Sequence, residues 1–158
     1  MPKYEPLQYA LSLLKLRDRT VGEMRDKMRR KGYLGEEVEQ VIAKLLEKDL
    51  LNDQRFAESY LRSQVQYRPS GRHRIRAKMK QLFLSDQLIQ SVMSGYDVGT
   101  ETEKAKDLTQ RWLAKKAGIT DDEIRQKLGR FLSSRGFDWE VVREVLDRIK
   151  NGALQEEI

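Results

Sequence analysis

The side chains best suited to chemistry in this sequence are the cations of its middle part. Between Glu58 and Asp86 lie 27 residues that contain seven Lys or Arg and no Asp or Glu. Arginine outnumbers lysine five to two in this segment, and the planar guanidinium group suits paired contacts with phosphate or carboxylate. We therefore predict that the segment binds an anionic partner through Arg68, Arg72, His73, Arg74, Arg76, Lys78 and Lys80.

The second half of this basic segment is predicted to form a helix, because its apolar residues recur at helical spacing. The inward face of that helix is predicted to comprise Ile75, Met79, Leu82 and Phe83. The cations fall on the remaining sides, where like charges three or four residues apart repel by about 0.2–0.5 kcal/mol per pair. An anionic partner would relieve that repulsion, and the alternative is a solvated cationic face.

A second basic cluster lies nearer the N-terminus, at Arg25, Arg29, Arg30 and Lys31. Glu23 and Asp26 stand among these cations. Because acids on the same helix can neutralise neighbouring cations, we predict that this cluster contributes less to binding than the middle segment does.

The sequence lacks the residue sets with which enzymes work. His73 is the one histidine and has no carboxylate close to it in sequence, cysteine is absent, and no Gly-Lys-Ser/Thr phosphate loop occurs. Asp121, Asp122 and Glu123 resemble a metal-binding cluster, but acids in the first turn of a helix complement the helix dipole. We expect no catalytic residue, no metal and no cofactor. The net charge of +6 favours a polyanionic partner instead.

Composition favours a soluble helical protein. Hydrophobic residues make up 39% of the chain and charged residues 35%, which suits many thin helices with solvated faces. No apolar run approaches the roughly 20 residues that cross a bilayer, and the N-terminal residues lack the basic-then-apolar order of a secretory signal. We expect a cytoplasmic protein without a membrane partner.

Helical periodicity covers nearly the whole chain, and it repeats. Three segments superpose at offsets of 51 and 53 residues. They are Met24-x-x-x-Met28 with Gly32-Tyr33, Ile75-x-x-x-Met79 with Phe83-Leu84, and Leu128-x-x-x-Leu132 with Gly136-Phe137. Gly32 and Gly136 stand where a left-handed residue commonly ends a helix. We predict an all-α fold made of three tandem three-helix repeats, each with one of these segments as its middle helix.

Polar residues mark where several helices begin. Thr20-x-x-Glu23 and Thr120-x-x-Glu123 both have the pattern of a capping box at the start of a middle helix. Ser70 is the corresponding candidate in the second repeat. Thr100-x-x-Glu103 is predicted to open the first helix of the third repeat.

We place the repeats at residues 7–50, 51–97 and 98–150, with the middle repeat the most basic and a frayed tail at 151–158. Because one such unit buries little surface alone, the repeats are expected to pack on their neighbours as an elongated, curved array. The alternative is a single globular helical domain.

Among the aromatic residues, Trp112 and Trp139 are predicted to pack in the core. Tyr67 and Tyr33 are candidates for surface contacts, although Tyr33 also fits a plug at a helix end.

These residues resemble the RecX family, regulators of the RecA recombinase, over roughly residues 7–150. The family's leucine-Asp-Asp-x-Arg-Phe-Ala motif resembles Leu51-Asn52-Asp53-Gln54-Arg55-Phe56-Ala57, which is the most specific match. Three further matches are residues 17–33, Gly71-Arg72-His73-Arg74-Ile75, and Leu132-Ser133-Ser134-Arg135-Gly136-Phe137. The chain departs from the family pattern at Asp49-Leu50 in place of Gly-Tyr, Arg72 in place of proline, and Leu82-Phe83-Leu84 in place of Lys-Gly-Ile.

The resemblance implies a monomeric modulator that lies in the helical groove of a RecA filament on DNA. It implies inhibition of ATP hydrolysis and strand exchange, and direct binding of single- and double-stranded DNA. Two alternatives remain open from the residues. A stand-alone DNA-binding helical module would bind naked DNA tightly and lose it as salt rises, whereas a generic scaffold would respond to neither salt nor charge reversal.

Overall fold

The computed structural model describes residues 2–150, which form nine α-helices and no strand. The helices are α1 (Pro6–Leu16), α2 (Val21–Lys31), α3 (Gly35–Glu47), α4 (Asp53–Gln66), α5 (Arg72–Gln81), α6 (Asp86–Met93), α7 (Val98–Ala114), α8 (Asp121–Ser134) and α9 (Trp139–Lys150). The all-α prediction of three tandem three-helix repeats is confirmed, with α2, α5 and α8 as the middle helices. None of the described helices is long and apolar enough to cross a bilayer. The predicted tail at 151–158 lies outside the described residues.

The helices are organised in two compact units. The N-terminal unit holds the described residues up to Tyr60 together with Met79–Gln90. The C-terminal unit holds Leu61–Lys78 together with the described residues from Ser91 onward. The first and third repeats therefore lie in different units, while α4, α5 and α6 contribute residues to both. The repeat boundaries and the elongated, curved arrangement stay predictions.

The N-terminal unit has its own core between α1, α2 and α3. Its buried residues are apolar at helical spacing, because each of these helices turns one face inward. They are Ala10, Leu13, Met24, Met28, Tyr33, Val38, Val41, Ile42, Leu45 and Leu51. Tyr33 is buried rather than a surface contact, and its hydroxyl donates a hydrogen bond of 2.7 Å to the carbonyl of Tyr4. Of the two readings of Tyr33, the helix-end plug is confirmed.

The C-terminal unit has a second core between α7, α8 and α9. Its buried residues are Ala105, Leu128, Leu132, Phe137, Val141, Val142, Val145 and Ile149. Trp112 packs against this core as predicted and stacks on Phe131, with ring centroids 6.3 Å apart. The prediction for Trp139 is wrong, since 67% of this residue is exposed. Trp139 is the first residue of α9, and the buried face of that helix begins only at Val141.

Helix caps confirm two of the four predicted helix starts. Thr20 and Thr120 each accept a hydrogen bond from the N–H group of the glutamate three residues on, and both capping boxes are confirmed. The predicted start at Thr100 is wrong. Asp97 caps α7 instead, because its carboxylate accepts the N–H of Thr100 at 2.7 Å. Ser70 does not fill the cap position of α5, because Gly71 directly precedes that helix and the Ser70 hydroxyl donates to the carbonyl of Arg68 at 3.0 Å.

The three middle helices end in the same way, which confirms the register of the repeats. Gly32, Phe83 and Gly136 follow their C-termini with φ values of 101°, 62° and 82°. The next residue then donates its N–H five positions back, from Tyr33 to Met28, from Leu84 to Met79 and from Phe137 to Leu132. This is the Schellman arrangement, in which a left-handed residue satisfies the last carbonyls of a helix.

The Schellman turn also corrects the predicted inward face of α5. Ile75 and Met79 are fully buried, but 54% of Phe83 is exposed. The left-handed backbone at Phe83 turns the chain, so that Leu84 enters the core in its place with 5% exposure. Tyr33 and Phe137 occupy the equivalent buried positions in the other two repeats.

A repeated joint connects each of the first two middle helices, α2 and α5, to the repeat that follows it. In the N-terminal unit, the N–H of Val21 donates to the carboxylate of Asp53 at 2.8 Å. In the C-terminal unit, the N–H of Arg72, which is equivalent to Val21, donates to the carboxylate of Glu101 at 3.1 Å. The first N–H groups of a helix have no partner within the helix, and here an acid in the first turn of the next repeat's first helix accepts one.

A carbonyl at the end of the next middle helix completes each joint. The Thr20 hydroxyl donates to the carbonyl of Leu82 at 2.6 Å, and the Gly71 N–H donates to that of Arg135 at 2.9 Å. The backbones come so close that a Cβ atom on Gly71 would overlap the carbonyl group of Gly136. The joint therefore depends on a glycine that no side chain can replace without moving the backbone.

A partly buried ion pair stabilises the start of α2. The Arg17 guanidinium lies 2.6 Å from Glu23, whose carboxylate also accepts the N–H of Thr20 at 3.1 Å. Burial raises the pKa of Glu23, but the hydrogen bonds from Arg17 and Thr20 and the charges of Arg17 and Arg19 outweigh it. The net pKa of Glu23 is therefore lower than usual.

We expect Gly71→Ala to lower the free energy of unfolding by roughly 2 kcal/mol or more, because the added methyl group overlaps backbone that cannot move freely. Urea and thermal unfolding followed by circular dichroism measure the change. Gly35→Ala is the matched control, since nothing lies within 4 Å of its added Cβ. Equal effects of the two substitutions would contradict the close approach at the joint.

We expect Glu23→Gln to cost about 1 kcal/mol at neutral pH and to make the acid loss of stability shallower. The folded pKa of Glu23 lies below the unfolded value of about 4.3, so its contribution is present above that value and is lost as pH falls through the folded pKa. Urea unfolding between about pH 2 and pH 7 measures this. Glu47→Gln, an exposed residue of the neighbouring helix, is the control. An unchanged acid slope would show that Glu23 does not titrate in this way.

Candidate anion-binding surface

The start of α5 is built around a buried carboxylate. Glu101 is fully buried, and its Oε1 atom accepts the N–H of Arg72 at 3.1 Å and that of Asp138 at 3.2 Å. One carboxylate thus caps both α5 and α9. A buried carboxylate needs a counter-charge as well as hydrogen bonds, and the Arg72 side chain provides it.

Arg72 is held inside the C-terminal unit by this carboxylate. Its guanidinium forms an ion pair with Glu101, although Nε and Oε2 are not aligned as a hydrogen bond. The Nη2 atom of Arg72 also lies 3.7 Å from Asp138. With 24% of the side chain exposed, Arg72 differs from the solvent-facing cation that the sequence predicts. The charge of the Arg72 side chain is therefore balanced within the fold.

His73 also has a carboxylate partner, which sequence proximity did not reveal. Its Nε2 atom lies 2.8 Å from the Oδ2 atom of Asp138, a residue 65 positions away. The N–H of Glu140 and the hydrogen bond from His73 hold the pKa of Asp138 below its usual value, with further support from the Arg72 charge. The imidazole remains exposed, but this contact orients it within the C-terminal unit.

Three cations of α5 remain free of such partners, and we call them the cationic face: Arg74, Arg76 and Lys78. All three are exposed, and no acidic group lies within ion-pair distance of them in the part of the chain that the structure describes. Arg68, on the segment before α5, is exposed and unpaired in the same sense. Four of the seven predicted cations, all in the C-terminal unit, are therefore available to a binding partner.

Lys80 belongs to the N-terminal unit, where its Nζ atom lies 3.7 Å from Asp86. Both side chains are largely exposed, and such pairs contribute little to stability.

Three of the four cations of the second basic cluster pair with acids of their own unit. Arg25 and Arg29 lie 2.7 Å and 3.8 Å from Glu39, and Arg30 lies 3.0 Å from Asp26. The Lys31 ammonium group lies 5.8 Å from the centre of the Tyr9 ring. Each of the four cations thus has an internal contact, and Glu39 was not among the acids expected to balance them.

Two residues that organise the site, Glu101 and Asp138, were not anticipated. Glu101 lies 29 positions from Arg72, and nothing in its local pattern distinguishes it from a solvated acid at a helix start. Arg135 falls within the motif at residues 132–137, which offered a signal for its importance.

Among residues 2–150 no group of three or more His, Asp or Glu side chains could hold a metal ion, and Glu123 serves in a helix cap.

Comparison with protein families finds three consecutive matches along the chain. The first three-helix domain of RecX matches residues 7–45, the second matches 52–93 and the third matches 100–146. The order of the matches is that of the three helical repeats.

Individual relatives agree with the family matches. The regulatory protein RecX of Chlorobaculum tepidum is 34% identical over 144 residues, which cover 91% of this chain and 88% of that protein. The regulatory protein RecX of Chlorobium limicola is 32% identical, with 93% and 91% covered. The crystal structure of RecX from Lactobacillus salivarius has a similar fold, with a TM-score of 0.79 at 22% identity over 92% of this chain and 94% of that one.

We expect Glu101→Gln to lower the free energy of unfolding by about 3 kcal/mol, because the Arg72 guanidinium would lose the carboxylate that neutralises it. Chemical unfolding of the intact chain measures the loss. Glu103→Gln, in the same helix turn but exposed and paired only with Lys106, should cost less than about 1 kcal/mol. A loss no larger for Glu101 than for Glu103 would contradict the role given to the buried carboxylate.

Proposed function

The chain belongs to the RecX family of regulatory proteins, and from this we propose that it regulates a RecA-type recombinase by binding along the recombinase filament on DNA. The regulation proposed is inhibition, with slower ATP hydrolysis and slower strand exchange. The family is one of regulators rather than enzymes, so no residue of the chain is given a catalytic role and no cofactor is required. We propose a monomer that acts in the cytoplasm, where the filament forms.

The observation that carries this proposal is the cationic face of α5. Among the residues that the structure describes, Arg74, Arg76 and Lys78 are exposed without acidic partners, whereas the three arginines of the second basic cluster pair with acids of their own unit. Cations that remain unpaired in the free protein gain most from a negatively charged partner. Such a partner is the filament, through its DNA phosphates or through acidic groups on the recombinase.

Inhibition follows if the repeats contact more than one filament subunit. A ligand that bridges neighbouring subunits binds most tightly to the one subunit spacing that it fits. Cycles of nucleotide hydrolysis require the subunits to change their arrangement, so a bridging ligand slows those cycles. The three helical repeats supply several separate surfaces for such contacts.

We expect the double substitution Arg76→Glu with Lys78→Glu to weaken inhibition at least about tenfold, because two attractive charges become repulsive. Arg74 is left unchanged because its Cβ lies against Gly136 and its replacement would disturb the joint. The measurement is the amount of protein that halves the DNA-dependent ATPase activity of a RecA-type recombinase.

The matched control is Lys127→Glu with Arg143→Glu, which changes the net charge equally at two exposed positions of the same unit. Thermal unfolding checks that both variants are folded. Inhibition that survives in the first variant as in the control would exclude the cationic face from the contact.

Co-sedimentation at physiological salt separates this function from that of a stand-alone DNA-binding module. A filament regulator should sediment with recombinase filaments much more than with bare single- or double-stranded DNA. Equal binding to bare DNA, lost steeply as salt rises, would favour the DNA-binding module.

A further inference from the structure

A groove of about 360 Å³ opens on the C-terminal unit, apart from the three residues of the cationic face. It lies between the segment that precedes α5 and the outer sides of α7 and α8. Its lining combines cations with aromatic rings, and none of its lining residues is acidic. Neither the sequence comparison nor the proposed regulation assigns a role to it.

Four cations surround this groove: Arg68, Arg111, Lys115 and Arg135. In the described part of the chain none of them lies within ion-pair distance of an acid. Arg135 is the most constrained, because its Nη2 atom donates to the carbonyl of Pro69 at 3.0 Å while its buried Nε atom has no hydrogen-bond partner. Burial, followed by the charges of Arg74 and Arg68, lowers the pKa of Arg135. An anion bound in the groove would relieve the repulsion among these cations.

Aromatic rings provide the apolar part of the groove. Tyr67 lines the groove with 78% of the residue exposed, so most of its side chain is accessible to a ligand. Trp112 is half-buried on the floor, where Phe131 stacks against it and the Lys116 ammonium lies 5.2 Å from its ring centre. Phe131 and Lys116 already contact the Trp112 ring. Tyr67 is therefore the aromatic residue of the groove on which a ligand could stack.

We propose that this groove binds an unpaired segment of single-stranded nucleic acid, with one base stacked on Tyr67 and the adjoining phosphates bound by Arg68, Arg111, Lys115 and Arg135. Exposed aromatic rings beside cations are the combination that single-strand-binding proteins use. A base stacked on tyrosine replaces the stacking that it loses in the strand, and the cations bind the phosphates on either side.

The aromatic edge favours a single strand over a duplex. In a duplex both faces of every internal base are covered by neighbouring base pairs, so along the length of a duplex Tyr67 would meet only the backbone. Four cations without a lining acid favour phosphates over a mixed protein surface, which ordinarily brings both signs of charge. A strongly acidic peptide with an apolar anchor is the occupant that the experiment must distinguish.

The groove and the regulatory proposal can fail separately. Inhibition of the recombinase tests the cationic face, whereas binding of a short free strand involves no recombinase. The double variant Arg76→Glu with Lys78→Glu should therefore retain most of its binding of a short strand in the groove. Replacements in the groove should remove that binding.

Tryptophan fluorescence reports on the groove directly. The chain has two tryptophans, and Trp139 is 67% exposed, so Trp139→Phe is expected to fold and to leave Trp112 as the sole emitter. In this background we titrate an oligothymidine of about six nucleotides, within the length that single-strand-binding folds cover. We expect saturable quenching of Trp112, which a longer blunt-ended duplex at equal total phosphate concentration reproduces only weakly.

The stacking contact is tested with Tyr67→Ala, which should weaken oligothymidine binding roughly tenfold or more. Tyr4→Ala is the matched control, because Tyr4 is also an exposed tyrosine but lies in the other unit. The phosphate contacts are tested with Arg111→Ala and Lys115→Ala together. This pair should reduce the slope of log Kd against log salt by about 1.4, at about 0.7 for each lost phosphate contact on a single strand.

The outcomes decide between the occupants. Quenching that depends on Tyr67 and on both cations supports the proposal. Quenching by the duplex as strong as by the single strand overturns it, and so does an unchanged affinity in Tyr67→Ala. Tighter binding of a glutamate-rich peptide with one central leucine would make the groove a peptide site and would also overturn it.

Discussion

The structure depends on the need of every helix to satisfy the N–H groups of its first turn. In α2 and α5 a carboxylate from the next repeat accepts one of these groups, through Asp53 in one case and Glu101 in the other. The acceptors come from the first turn of α4 and of α7, so the start of each of these two middle helices depends partly on the repeat that follows it. The same hydrogen bond thus satisfies the start of a helix and connects two repeats.

This constraint sorts the cations of α5 into two groups. Since Glu101 accepts the N–H of Arg72 and pairs with its side chain, the first turn of α5 has a single rotational setting. With Ile75 and Met79 buried, helical geometry then places Arg74, Arg76 and Lys78 on the exposed sides. Cations that stabilise the fold and cations available to a partner therefore both occur within the ten residues of one helix.

The departures from the family pattern become intelligible at these positions. Arg72 stands in place of proline at the first position of α5; proline has no N–H, whereas the N–H and side chain of Arg72 both reach Glu101. Asp49 and Phe83 stand in place of glycines, and both have a left-handed backbone, with φ values of 55° and 62°. Asp49 is held there by hydrogen bonds from Asn52 and Arg55. Phe83 rests against Gly22, which has no side chain to obstruct it.

Local sequence was sufficient for the helices, for the boxes at Thr20 and Thr120, and for the left-handed ends at Gly32 and Gly136, because these features depend on hydrogen bonds that reach only a few residues. It was insufficient for Phe83, which was placed in the core although the turn exposes it, and for Trp139, whose helix buries its apolar face only from the third residue.

Tertiary structure alone decided which cations remain unpaired. The partners of Arg72 and His73 are Glu101 and Asp138, which lie 29 and 65 residues away in the sequence. A local sequence pattern does not show which distant residues folding brings together. The groove between Tyr67 and Trp112 arises for the same reason, since its rings belong to segments that only folding brings together.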